Sequence, residues 1–238
     1  MYKRQAKVTD ANGNLVPNVV VSFTANNDAT IIAASGTTNA QGVASTNLAN
    51  NKAGITKVTA TINGHSQTVD TTFVADASTA TILNGALTVT VDNAKANGAA
   101  TDTVQAKVTD ANGNAVPNTT VLFYRGGHGV SVSTNSEGIA STTFTSVVAR
   151  SDTVTAYEIN HSRDTRSVII TFIADSSTAS VETTLIDNGA RANGSAANRV
   201  QARVFDVHNN VVPNMVVNFT ATNGARVCLL YTSPSPRD

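Results

Sequence analysis

Apolar and polar positions alternate along most of the chain with a period of two. Val19, Val21 and Phe23 stand two, four and six residues beyond Pro17; Thr119, Val121 and Phe123 keep the same offsets from Pro117, and Met215, Val217 and Phe219 from Pro213. Successive side chains of a strand point to opposite faces, so each run is one face of a β-strand with an aromatic anchor at its end. Val104, Ala106 and Val108 alternate with Gln105, Lys107 and Thr109 in the same way, and Val154 with Ala156, then Val168, Ile170 and Phe172, add two more inward rows. Asn12-Gly13, Asn63-Gly64 and Asn112-Gly113 punctuate the runs as hairpin signals, because both residue types tolerate the positive φ of a two-residue turn. No segment has the 3.6-residue period of an amphipathic helix.

The pattern recurs. Gln5 to Asn18 reads QAKVTDANGNLVPN, Gln105 to Asn118 reads QAKVTDANGNAVPN, and Gln201 to Asn214 reads QARVFDVHNNVVPN. A second block, Thr38 to Thr46, returns as Thr134 to Thr142; a third, Phe73-Val74-Ala75-Asp76, returns as Phe172-Ile173-Ala174-Asp175; a fourth, Asp92 to Gly98, returns as Asp187 to Gly194. The prolines are 100 and then 96 residues apart. That period exceeds the roughly 20–50 residues of a solenoid unit and matches one immunoglobulin-like sandwich. The fold class expected is therefore all-β, with tandem immunoglobulin-like β-sandwich domains. Residues 6–77 form a repeat lacking its first strand, 78–175 a complete repeat, and 176–227 a truncated one. The junctions Ala75-Asp76-Ala77-Ser78-Thr79 and Ala174-Asp175-Ser176-Ser177-Thr178 carry no glycine or proline run. Linkers so short predict an extended, stiff rod.

Both ends break the composition. Tyr2 to Gln5 can be encoded within TGTATAAGAGACAG, and the opposite strand of that DNA contains TGTCTCTTATAC, which reads Cys-Leu-Leu-Tyr, the sequence Cys228 to Tyr231. One short element read in both directions explains 1–5 and 228–238, which resemble translated transposon-type adapter and are set aside. Without Lys3, Arg4, Arg237 and Asp238 the 16 basic and 16 acidic residues become 13 and 15, a balance of −2. The lone Cys228 falls in the excluded tail, so no disulfide argument arises.

Candidate chemistry is sparse. A near-neutral chain with no basic stripe gives no footprint for nucleic acid, and no apolar run is long enough to span a membrane. Asp10, Asn12 and Asn14 alternate like the start of a calcium loop, but Leu15 and Val21 stand where such a loop needs glycine and an acidic residue, so a turn is the better reading. Asp76 and Asp175 each offer a single carboxylate, too few for calcium. Arg125-Gly126-Gly127-His128-Gly129 follows a strand with no helix to supply an anion-binding N-terminus, and reads as a flexible hairpin tip. His65 and His161 occupy matching turns far apart; His128 and His208 have no matching partners. Ser131, His128 and Asp152 could be named as a triad, but no nucleophile-elbow sequence supports it. The Asn-x-Ser/Thr sequences at Asn118, Asn160, Asn193 and Asn218 matter only in a eukaryotic secretory pathway. No catalytic, cofactor-binding or metal-binding residue is assigned, and no cofactor is expected.

The DANGN-x-VPN turn, the TN-x-x-G-x-A-S-T block and the FIADSSTA junction resemble group 1 bacterial immunoglobulin-like domains, the repeats of the intimin–invasin family, over essentially all of Ala6 to Val227. Asp206-Val207-His208-Asn209-Asn210 departs from the turn sequence and leaves its geometry open. The resemblance implies a non-enzymatic stalk at the cell surface, attached to the outer membrane through a barrel elsewhere in the protein, with adjacent repeats as partners and a host or bacterial receptor met by parts outside this segment. Direct ligand binding through Arg125 to Gly129 is a rival reading. A secreted or phage-borne carbohydrate-binding module is another, which 5% aromatic residues and no Trp disfavour.

Overall fold

The computed structural model describes residues 2–161 and 164–228. They fall into two compact units: one runs to Val91 and adds Thr103–Phe144 and Asp152–Ile170, and the other takes Asp92–Asp102, Thr145–Ser151 and the chain from Thr171 onward. The structure is all-β. Among the described residues the only helical pieces are three single 3-10 turns, Ala77–Thr79, Ile159–His161 and Ser176–Thr178.

In the first unit, the first repeat places β1 (Tyr2–Lys7), β5 (Val43–Ala49) and β3 (Thr30–Ile31) in one sheet, with β5 central. A second sheet holds β4 (Ser35–Thr37), β2 (Val20–Ala25), β6 (Gly54–Ile62) and β7 (His65–Phe73) in that order. The second repeat pairs β12 (Ile139–Phe144), β9 (Asp102–Thr109) and β8 (Thr81–Val91). Its other sheet is β11 (His128–Ser133), β10 (Thr120–Arg125), β13 (Ser151–Glu158) and β14 (Arg166–Thr171). The expected inward rows are the core: Val104, Ala106, Val108, Val121, Phe123, Val154, Ala156 and Ile170 are all buried, as are Val21 and Phe23 in the first repeat. The aromatic anchors of the first two post-proline strands, Phe23 and Phe123, are thus buried in their sandwiches.

In the second unit β15 (Ser180–Asp187) pairs with β16 (Arg199–Phe205). The strand expected over Met215, Val217 and Phe219 does not form, and Met215 and Val216 are exposed. No strand among the described residues lies beside this segment, and an alternating pattern becomes a strand only when a neighbour takes its backbone hydrogen bonds.

Two turn expectations separate. Asn63-Gly64 is the two-residue hairpin foreseen, with positive φ at both residues and Ile62 facing His65. At Asn12-Gly13 and Asn112-Gly113 only the glycines are left-handed, each at φ 84°. Asp110 O accepts from Gly113 N, and Asp110 N donates to Asn114 O, which makes a three-residue loop with a glycine bulge. In the third repeat Asn209 at φ 66° takes the glycine's place and the same hydrogen bonds form, so the departing sequence builds the same turn. The tip Arg125 to Gly129, expected as a flexible loop, is a tight turn: Arg125 faces His128, and Gly126 and Gly127 supply the two left-handed residues.

Residues 1–5 were assigned above to foreign sequence, and Arg4 bears on that proposal. Tyr2 to Lys7 continues as β1, with Arg4 opposite Thr46 and Ala6 opposite Ala44. Arg4 stands at the repeat position of fully buried Val104, and its Nε is buried with no hydrogen-bond partner. An N–H desolvated without a partner destabilises. Arg4→Val should raise the urea midpoint of the first repeat by the equivalent of about 1–2 kcal/mol; an unchanged midpoint would show that Arg4 is not misplaced.

Candidate functional site: a polar clamp between repeats

The DANGN turn is built by its aspartate. Asp110 Oδ1 accepts from the backbone N–H of Asn112 (2.9 Å) and Asn114 (2.8 Å), and Oδ2 accepts from Asn114 Nδ2 (2.8 Å). The short carboxylate satisfies the donors that the turn leaves unpaired, which is why Asp followed four residues later by Asn recurs. What remains of the pair faces the preceding repeat. Asp110 Oδ2 also accepts from Asp76 N at 3.0 Å. Asn114 Oδ1 accepts from Ala53 N, and its Nδ2 donates to Asn51 O, both at 2.8 Å. Ala111 N donates to Thr79 Oγ1 (3.1 Å), which itself donates to Asp76 O (3.0 Å). Asp76 in turn caps the 3-10 turn Ala77–Thr79 by accepting from Ser78 N. One Asp–Asn pair thereby ties the turn of the second repeat to a loop of the first and to the linker.

The second unit contains the same device. Asp206 Oδ1 accepts from His208 N (2.9 Å) and Asn210 N (2.8 Å), and Oδ2 from Asn210 Nδ2 (2.9 Å) and Asp175 N (3.0 Å). Asn210 reaches Ala149 N through Oδ1 (2.7 Å) and Val147 O through Nδ2 (3.0 Å). Lys95 Nζ adds an ion pair to Asp175 Oδ1 at 2.9 Å. Asp110, Asp175 and Asp206 are buried; the corresponding Asp10 has the same internal hydrogen bonds but is exposed.

Burial alone pushes the carboxyls of Asp110 and Asp206 up. The hydrogen bonds outweigh it and hold both below 3.8: Asn114, Asp76 and Asn112 at the first, Asn210, Asp175 and His208 at the second. Ser177 and then Lys95 hold Asp175 well below the usual carboxylate range. Folded values below unfolded ones mean that the clamps contribute stability above pH 3.8 and lose it as the pH falls through the folded values. Thermal midpoints should be flat from neutral pH to about 5 and drop below about 4, with Asp110→Asn flattening part of the drop. An acid response identical in wild type and Asp110→Asn would remove the clamp from that account.

Asp10 accepts from the backbone N–H of Asn12 and Asn14 and from Asn14 Nδ2, so its oxygens serve the turn itself. Of Ser131, His128 and Asp152, the first two lie on β11, and Asp152, on β13, is paired with Arg125 (Nη2 2.6 Å, Nε 3.1 Å). His161 Nδ1 lies 2.9 Å from Oε2 of buried Glu158, which also accepts from Thr119 Oγ1 and Asn160; His65 closes a hairpin. Burial raises the Glu158 carboxyl, and the bonds from Thr119, His161 and Asn160 override it to leave the value lowered. Sequence reasoning missed the clamp, Glu158, and Thr38 and Thr134, whose buried hydroxyls accept from Val19 N and Thr119 N and donate to Val16 O and Val116 O. The return of the Asp and Asn in all three turns, and of Thr38 as Thr134, was the signal for the clamp and the hydroxyls; Glu158 does not recur and had none.

Sandwich repeats joined in series by a buried polar clamp define a tandem immunoglobulin-like repeat protein. A family model described as bacterial Ig-like domain (group 1) matches residues 2–74, 84–173 and 180–232. The chain belongs to that family. The inverse autotransporter adhesin YeeJ of Escherichia coli is 32% identical over 234 residues, which make up 92% of this chain and 10% of that protein; the chain therefore spans about a tenth of this curated relative. The crystal structure of invasin, a bacterial integrin-binding protein, superposes with a TM-score of 0.50 at 24% identity over 90% of this chain and 44% of that one. The Escherichia coli adhesin FdeC gives 0.64 at 20% identity over 89% and 70%. These two likenesses concern the fold.

Proposed function

We propose that these repeats are non-enzymatic spacer modules of a bacterial surface adhesin, which hold a distal binding domain away from an outer-membrane anchor. The observation that carries this reading is the clamp. A freely jointed string needs no buried hydrogen bonds at its junctions, whereas here Asp110 with Asn114, and Asp206 with Asn210, spend their polar groups on the neighbouring repeat. A module so tied transmits position and force along the chain. The resemblance to an inverse autotransporter adhesin supplies the surface setting. Arg125, the charged group of the rival ligand-binding tip, is engaged with Asp152 and lies over Phe144 at 5.7 Å, which favours the spacer reading.

Nuclear magnetic relaxation of the whole chain tests it. Amides of the first and second repeats should report one shared tumbling tensor, and Asp110→Ala with Asn114→Ala should split it in two. Independent tumbling in the wild type would sink the spacer reading.

A further inference from the structure

The second repeat carries a backbone edge that the first does not. In the first repeat the chain after β2 divides: β3 joins β5, and only the three residues of β4 line the outer side of β2. In the second, the tight turn at Gly126-Gly127 sends the chain straight back, so β11 stays with β10 through six paired residues, from Arg125 opposite His128 to Thr120 opposite Ser133. Among the described residues β11 has no strand on its other side. Its sequence, His-Gly-Val-Ser-Val-Ser, contains no proline, lysine or carboxylate, and its six paired positions run without a bulge, so nothing within the strand itself blunts the edge.

The direction of its free groups follows from the turn. Arg125 and His128 flank the two-residue turn Gly126-Gly127, so that opposed pair is hydrogen-bonded, and antiparallel pairs alternate. Val132 and Val130 therefore bond to β10, and Gly129, Ser131 and Ser133 aim N–H and C=O outward. Val130 shares a face with buried Phe123, opposite it, yet is 42% exposed. The inner face of this sheet continues beyond what the sandwich covers.

We propose that β11 is a homotypic docking edge, which pairs antiparallel with β11 of a second copy about a two-fold axis at Ser131. In that register Ser131 meets its own counterpart and Gly129 meets Ser133 of the second copy, so every outward group finds an outward group. Val130 falls opposite the second copy's Val132 in a non-hydrogen-bonded pair, where side chains approach most closely. No fixed charge on β11 opposes its mate, and the two-fold pairing closes on itself, giving dimers rather than fibres. An unrelated extended segment offers the same backbone spacing, and what a second copy adds is a valine opposite each exposed valine with no charge to bury. The proposal does not depend on the spacer reading.

Amide exchange of the full chain, at about 10 µM and about 1 mM with sedimentation in parallel, tests it, since a lone strand pairing is weak. Gly129, Ser131 and Ser133 should exchange at least about tenfold more slowly at the higher concentration as a dimer appears. Ser131→Pro removes an outward N–H at an edge position where proline is tolerated, and Val130→Lys sets a charge on the inner side of the edge; each should abolish both signals while tyrosine fluorescence and circular dichroism keep the native signature. Should Ser131→Pro fail to fold, Val130→Lys decides alone. A monomer at 1 mM, an unrelated segment taking the edge while copies stay apart, or an association that leaves these three amides fast or survives the variants, would each overturn the proposal.

Discussion

Replacing Gly138 by alanine should cost the second repeat about 4 kcal/mol, enough to unfold much of the population of a marginal domain. Gly138 has φ +73°, and a Cβ there would lie 2.5 Å from Val108 O, 3.0 Å from Val116 N and 3.2 Å from Ala115 Cβ. Two of these neighbours are backbone, so no rotamer change relieves the overlap. Moving them would break the bonds from Val108 N to Gly138 O (2.8 Å) and from Val116 N to Val108 O (3.1 Å), which seat the Thr134 block against the DANGN turn. The left-handed conformation adds about 1–2 kcal/mol for any L residue. Gly113→Ala separates the two effects, because Gly113 has φ +84° but nothing within 4 Å of a new Cβ. It should cost only the conformational part. Tyr124 and Tyr157, both in the second repeat, report the transition in urea by fluorescence. Equal midpoints for the two variants would show that close approach at Gly138 does not matter.

Asp110→Ala should have the next largest effect, about 3 kcal/mol. The carboxylate accepts from Asn112 N, Asn114 N, Asn114 Nδ2 and Asp76 N, and its loss strands these donors at a buried site. Part of the loss is the turn and part the junction. Asp10→Ala measures the turn alone, since Asp10 holds an equivalent but exposed turn, and its effect should be much smaller. Asn114→Ala should spare most of the turn while releasing Ala53 N and Asn51 O. Exchange at the Ala53 and Asp76 amides, read beside unfolding midpoints, divides the contributions: Asn114→Ala should speed Ala53, and Asp110→Ala should speed both. Unchanged exchange at both amides in Asp110→Ala would mean that the junction is held by something else.

Strand content, the core rows and the repeat were legible because each is local or periodic: Val104, Ala106 and Val108 announce a buried face by spacing alone. The Asn63-Gly64 hairpin was legible for the same reason. The turn at Asp110 was misread because Asn-Gly fits two turn types, and the choice fell to Asp110, whose carboxylate engages Asn112 N and Asn114 N. Sequence reading likewise marked Asp206 to Asn210 as a departure, whereas Asn209 takes up the left-handed φ that glycine supplies elsewhere.

By itself the sequence determined the all-β class, the unit of repetition and which side chains face inward, since these follow from backbone sterics and the apolar pattern along each strand. Tertiary structure alone decided three other things. It turned recurring turn residues into a clamp, because Asn114 and Asn51 are far apart in sequence and meet only across a junction. It left Met215 to Phe219 without a strand, because a strand needs a neighbour. It gave β11 a free edge, because which sheet a strand joins depends on the geometry of the preceding turn and on how far the facing sheet extends. All three rest on hydrogen bonds between distant segments, whose partners no local pattern encodes.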